Sequence, residues 1–135
     1  MGSETPTAFF NKTYEEALAL MVEAKEYLEG RENDDGGLLL DLDRLRLSRE
    51  AMRVTARLTQ IMAWLFVQKG VFVGELTRAE AAREPYTLSG QEMCAPDDPD
   101  HGRGLPAKMV DLLDRSHRLY VRVSRLDQLV RRQAR

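Results

Sequence analysis

Cysteine is almost absent: Cys94 stands alone in 135 residues, so the chain forms no internal disulfide and no cysteine-rich zinc module. A single thiol suits a reducing compartment, and the expected location is the cytoplasm. Long apolar runs are missing as well. The most apolar stretch, Ile61–Val67, is seven residues long, far short of the ~20 that a bilayer-spanning helix needs. The opening residues carry neither the basic flank nor the apolar run of a signal peptide, and Pro6 sits where a myristoylation motif wants Ser or Thr. No glycine-rich phosphate loop of the Walker or dinucleotide type occurs. Gly70, Gly74 and Gly90 are spaced as helix stops and turns.

What is present is enough for one small domain. With 43% hydrophobic and 31% charged residues, a chain of 135 residues covers about two-thirds of its unfolded surface on folding and needs no metal or disulfide. The net charge of −2 conceals a polarity. Residues 1–43 carry eleven acidic against three basic side chains, and residues 103–135 carry three acidic against nine basic. Such ends are expected to pack on each other within the domain, or to face a partner subunit in complementary fashion.

Helical periodicity dominates the chain. Phe10, Tyr14, Ala17, Leu18, Met21, Ala24 and Leu28 recur every three or four residues and mark a first helix over about 7–29, with Pro6 in its first turn and Gly30 as its stop. A second helix over about 42–70 carries Leu47, Ala51, Val54, Leu58, Ile61, Leu65 and Gln68 in heptad spacing. Met52, Thr59, Met62, Ala63 and Phe66 flank that row and are expected to widen its buried face. A third helix over about 106–132 buries Met109, Leu112, Leu113, Ser116, Leu119, Tyr120, Val123, Leu126 and Val130, with Pro106 in its first turn. Between the second and third helices, Thr77 and Glu80 form a capping box for a short helix, while 30–40 and 95–105 have loop chemistry. The fold class is all-α: an antiparallel three-helix bundle with a short helical connection between the second and third long helices.

Catalytic and metal chemistry find little support. Asp97, Asp98, Asp100 and His101, with Glu92 and Cys94 upstream, lie around two prolines that turn their side chains apart, so a solvated acidic loop is expected and no metal. Glu32–Gly37 misses the calcium-loop pattern in both registers: with Gly37 sixth, Glu32 is first and Asp43 twelfth, and with Gly36 sixth, Leu42 is twelfth. No motif ties His101 or His117 to Cys94, and no basic neighbour lowers that thiol's pKa. The expectation is therefore no catalytic residue and no cofactor. Asn11-Lys-Thr13 matches a glycosylation acceptor that is idle in a cytoplasmic helix.

Interaction chemistry is richer. Met62, Trp64 and Phe66 on the second helix suit either the core or a seam with a second subunit or partner. Arg115, Arg118, Arg122 and Arg125 make a basic ridge along the third helix. That ridge could meet DNA phosphates, yet the chain is acidic overall and only Tyr120 accompanies the arginines as an aromatic. Pairing with the acidic first helix or with a protein partner is the stronger reading.

Several segments together resemble one family. They are SREAMRVTARLTQ at 48–60, AWLFVQK at 63–69, TRAEAA at 77–82, YTL at 86–88 and EMC at 92–94, followed by Leu105-Pro106 and LYVRVSRLD at 119–127. YEEALAL at 14–20 and YLEG at 27–30 open the series. Their order is similar to that of the alphaproteobacterial regulators of CtrA degradation, the RcdA-like proteins. The resemblance implies a three-helix bundle that forms a homodimer and has no catalytic activity. It further implies an adaptor that helps bring cell-cycle regulators, notably the response regulator CtrA, to the ClpXP protease together with accessory proteins. The alternative is a DNA-associated helical regulator that uses the basic third helix.

Overall fold

The computed structural model describes residues 6–33, 41–83 and 104–133. Its helices are α1 (Pro6–Asn33), α2 (Asp41–Phe72), the one-turn α3 (Arg78–Ala81) and α4 (Ala107–Gln133). The all-α expectation holds, with no strand among the described residues. None of these helices is long and apolar enough to cross a membrane.

Local chemistry sets the helix boundaries. At α3 the capping box forms: the Thr77 N–H donates to Glu80 Oε1 at 3.0 Å, and the Glu80 N–H donates to Thr77 Oγ1 at 3.1 Å. Helix α2 stops at Gly74, whose φ of +83° is a left-handed conformation that costs glycine least. The chain then folds back. The Glu75 N–H donates to the Gly70 carbonyl at 2.8 Å, and Leu76 lies against Gly70 so closely that an added Cβ would stand 3.2 Å from its Cδ1. Gly30 behaves differently from its expected role. Helix α1 runs through it to Asn33, and a Cβ at Gly30 would meet nothing within 4 Å. A glycine inside an exposed helix costs only about 1 kcal/mol, too little to end one that is held by packing.

Helix directions correct the expected arrangement. Phe10 of α1 packs on Trp64 and Phe72 of α2, while Met21 and Leu28 line a cavity with Thr55 and Leu58, so α1 and α2 are antiparallel. Helix α4 is also antiparallel to α1, since Glu23 meets Arg115 and Glu16 meets Arg122. Along α2, however, Arg57 reaches Ser116 and Trp64 reaches Asp127, so contacts on α2 and α4 advance together. Helices α2 and α4 are therefore parallel, not alternating. Gly104, just before α4, lies beside Asp43 and Arg46 at the start of α2. A return of this kind needs a long connection, and the stretch between α2 and α4 supplies it.

Helix α2 is central and packs on both other long helices. Ala17, Leu20 and Ala24 of α1, then Val54, Leu58, Ile61, Met62, Trp64 and Leu65 of α2, share one core with Met109, Leu112, Leu113, Leu119, Tyr120 and Val123 of α4. Each aliphatic side chain buried there contributes roughly 1.5–3 kcal/mol relative to exposure. Half-buried Phe10, Tyr14, Met21 and Leu28 extend this core along α1.

The two glycines give opposite expectations for alanine. Gly30→Ala should stabilise the fold by about 0.5–1 kcal/mol, because the site is helical and open. Gly74→Ala should destabilise it by about 1 kcal/mol through its positive φ. Urea unfolding of both variants checks the pair; equal shifts would contradict the assigned backbone conformations.

Candidate functional site

Two buried polar pins join α2 to α4. Arg57 is fully buried and its Nη1 donates to the Leu113 carbonyl at 2.9 Å and to Ser116 Oγ at 3.2 Å. Two turns further along, Trp64 Nε1 donates to Asp127 Oδ1 at 2.9 Å, and Arg131 pairs with Asp127 Oδ2 at 2.8 Å. A buried carboxylate is tolerated only when its oxygens are occupied in this way. Sequence reasoning overlooked Arg57. The only signal in the sequence was spacing: Arg57 lies three residues after Val54 and four before Ile61, both in the apolar row.

The acidic and basic ends meet across α1 and α4. Arg115 grips Glu23 with two bonds, Nη1 to Oε1 at 2.7 Å and Nη2 to Oε2 at 2.8 Å, and also reaches Asp111 at 3.0 Å. Lys108 joins the same carboxylate. The Arg115 and Lys108 hydrogen bonds hold the Glu23 carboxyl at about 2, well below its ordinary value of 4.5. Glu23 in turn raises the pKa of Arg115. A turn and more away, Arg122 pairs with Glu16. The expected packing of acidic α1 against basic α4 occurs within the chain itself.

A third feature is what remains uncovered. Leu45, Met52 and Phe66 on α2 are exposed, as are Val73 just past its end and Leu18 and Val22 on α1. Phe66 meets the ring of Tyr14 on α1 edge-on, with centroids 5.9 Å apart. Beside it a groove of about 360 Å³ is lined by Phe10, Tyr14, Phe66, Lys69 and Phe72. Met52, Thr59, Ala63 and Phe66, expected to widen the buried face, thus form an outer one. Only Met62 of that flanking group turns inward.

The seven side chains expected to contact partners all lie in described helices. Met62 and Trp64 lie in the core of the chain, and Phe66 is exposed. Arg115 and Arg122 are engaged by Glu23 and Glu16. Arg118 and Arg125 are exposed, with Arg118 Nε donating to the Asp114 carbonyl at 3.4 Å. The DNA-facing ridge therefore has two of its four arginines committed to carboxylates of α1. His117 is half-buried on α4. Glu92, Cys94, Asp97, Asp98, Asp100 and His101 lie outside the described residues, as does most of Glu32–Gly37. Among the described residues, no three His, Cys, Asp or Glu side chains gather where they could hold a metal.

Fold and surface together define an all-helical bundle protein whose exposed apolar chemistry runs along helix faces. Over residues 3–135 the sequence matches the family described as protein of unknown function DUF1465. It is also similar to the crystal structure of RcdA from Caulobacter crescentus CB15, with a TM-score of 0.71 and 34% identity over 95% of this chain and 93% of that one. No curated protein matches it. The chain belongs to the DUF1465 family of RcdA-like proteins.

Two measurements test the buried and half-buried contacts. The folded pKa of Glu23 lies below its unfolded value, so its stabilisation is complete above about pH 4.5 and is lost as the pH falls toward 2. Glu23→Gln should therefore be less stable than the native chain at pH 7, the gap closing through that window in acid-unfolding curves. A gap independent of pH would remove the ion pair as its source. Trp64→Phe should cost about 1–3 kcal/mol in chemical denaturation, since it withdraws the indole donor from buried Asp127. A neutral substitution would show that Arg131 alone satisfies the carboxylate.

Proposed function

We propose that the protein is a non-enzymatic adaptor of regulated proteolysis, assisting delivery of cell-cycle regulators of the CtrA type to the ClpXP protease in the cytoplasm. The observation that carries this reading is the full-length likeness to RcdA, in which sequence and fold agree over nearly the whole of both chains. Its surface is suited to the task. An adaptor binds through extended complementary faces, and the exposed apolar side of α2 with the α1 residues beside it is such a face. Phe66, Arg118 and Arg125 are the solvent-facing members of the residues expected to contact partners. Arg115 and Arg122 sit behind ion pairs, and Met62 and Trp64 act by shaping the helix that presents Phe66. A homodimer belongs to the same reading.

Reconstituted degradation tests it. With ClpXP, accessory factors and a CtrA-type response regulator, adding the protein should speed loss of the client several-fold and leave an unrelated ClpXP substrate unaffected. An unchanged client rate would sink the adaptor role. Light scattering of the purified chain should give twice the chain mass, and a single-chain mass would remove the homodimer alone.

A further inference from the structure

We propose that the exposed face shared by α1 and α2 docks a second copy of this chain, antiparallel to the first, about a two-fold axis at Thr59. The inference rests on the homodimer of the preceding reading and supplies its face and register. Its first support is a row that can be laid on its own reverse. Leu45, Met52, Thr59, Phe66 and, just past the end of α2, Val73 follow at intervals of seven, with Leu45 67%, Met52 64%, Phe66 55% and Val73 59% exposed. Turned about Thr59, the row sets Leu45 against the partner's Val73 and Met52 against the partner's Phe66. A seven-residue repeat is the period at which two helices crossing at about 20° stay in register. In a two-fold contact each patch meets its own copy, so a single row of this kind is sufficient.

Shape agrees at both ends of the row. The groove of about 360 Å³ beside Phe66 lies at one end, and a second cavity, of about 290 Å³, lies at the other, lined by Met21, Lys25, Leu28, Glu29, Thr55 and Leu58. Both open on the border between α1 and α2. An axis perpendicular to α2 lays the α1 border of one copy on the α1 border of the other with its direction reversed. Met52 of each copy is thereby brought to the partner's groove, and Phe66 to the partner's cavity. Leu18 and Val22, exposed on α1 between the two hollows, meet their counterparts near the axis.

Charge along the α1 border is mixed, and its order suits a reversed copy. The end near Phe66 carries exposed Lys12, Glu15 and Lys69, while the other end carries exposed Lys25, Glu26 and Glu29. The first end is net positive and the second net negative. Reversal puts each on the other, with Lys69 opposite the partner's Glu29, and does so twice in the dimer. A parallel copy would instead lay this border against the far side of α2. There Arg49 could answer Glu29, but α2 has no carboxylate after Glu50 to meet Lys69.

Sedimentation of the full chain tests the face, and charge reversal with spin labels tests the register. The native chain should run as a dimer. Met52→Lys and Phe66→Lys should each weaken it at least about tenfold with unchanged circular dichroism, since both side chains are exposed in the single chain. Glu29→Lys and Lys69→Glu should each weaken the dimer several-fold, and the two together should restore it. On a Cys94→Ser background, labels at Thr59→Cys should lie close together and labels at Leu45→Cys about 42 Å apart, twice fourteen residues at 1.5 Å each. Short distances at both positions, or no recovery in the doubly charge-reversed variant, would overturn the antiparallel register. A dimer that neither lysine variant weakens would overturn the face and leave the homodimer standing. A native chain that sediments singly removes face and homodimer together, while the adaptor role is still decided by client degradation.

Discussion

One side chain touches all three long helices. Trp64 belongs to α2, meets Phe10 of α1 with ring centroids 5.4 Å apart, and gives its indole hydrogen to Asp127 of α4. Most of the indole is apolar, so its burial favours collapse in any orientation, whereas its single donor is directional and favours only one. Together with Arg57, it fixes α4 at two points separated by two turns of α2. Reversing α4 would preserve much of the apolar contact and strand a buried guanidinium and a buried carboxylate. The parallel arrangement of α2 and α4 is set by these few polar atoms, against a background of greasy contact that does not care about direction.

The charge polarity of the sequence does related work on the opposite side of the bundle. Helices α1 and α4 share less of the core than either shares with α2, and carboxylates from α1 meet cations from α4 where they approach. These pairs are partly exposed, so each is modest in energy; their larger effect is on the field around the molecule. A ridge of arginines beside a row of glutamates does not present the uninterrupted positive surface that a polyanion needs.

Much of the fold was legible because apolar periodicity reports helix existence and face directly. The limits are equally physical. A stripe repeating at 3.6 residues looks the same read up or down, so it names the faces of α2 and α4 and says nothing about whether they run parallel. Gly30 carries a stop signal only where no neighbour holds the helix, and Leu28 beside it is packed on the core. Met62 and Phe66 lie four residues apart with similar hydrophobicity, yet one is inside and the other outside, because coverage depends on where the α1 backbone passes. Arg57 sits at a core position, but its charge argued for the surface until Leu113 and Ser116 supplied acceptors. For the interaction surface, the row through Met52 and Phe66 was visible as a pattern. Its extension to Leu45 and Val73, and its exposure, came only from three-dimensional packing.

The parallel course of α2 and α4 also divides the molecule by the entropy of chain closure. Helices α1 and α2 are close in sequence, whereas α4 follows α2 only after a connection roughly five times longer, which by logarithmic scaling adds on the order of 1 kcal/mol to its docking. The α1–α2 hairpin is thus the cheap unit to assemble, and α4 the costly one. Yet the surface row at Leu45–Val73 lies wholly on the hairpin, while the polar pins lie on its other side. The apolar face can therefore be displayed by the part of the molecule that closes most easily, and loosening of α4 is felt first at the pins.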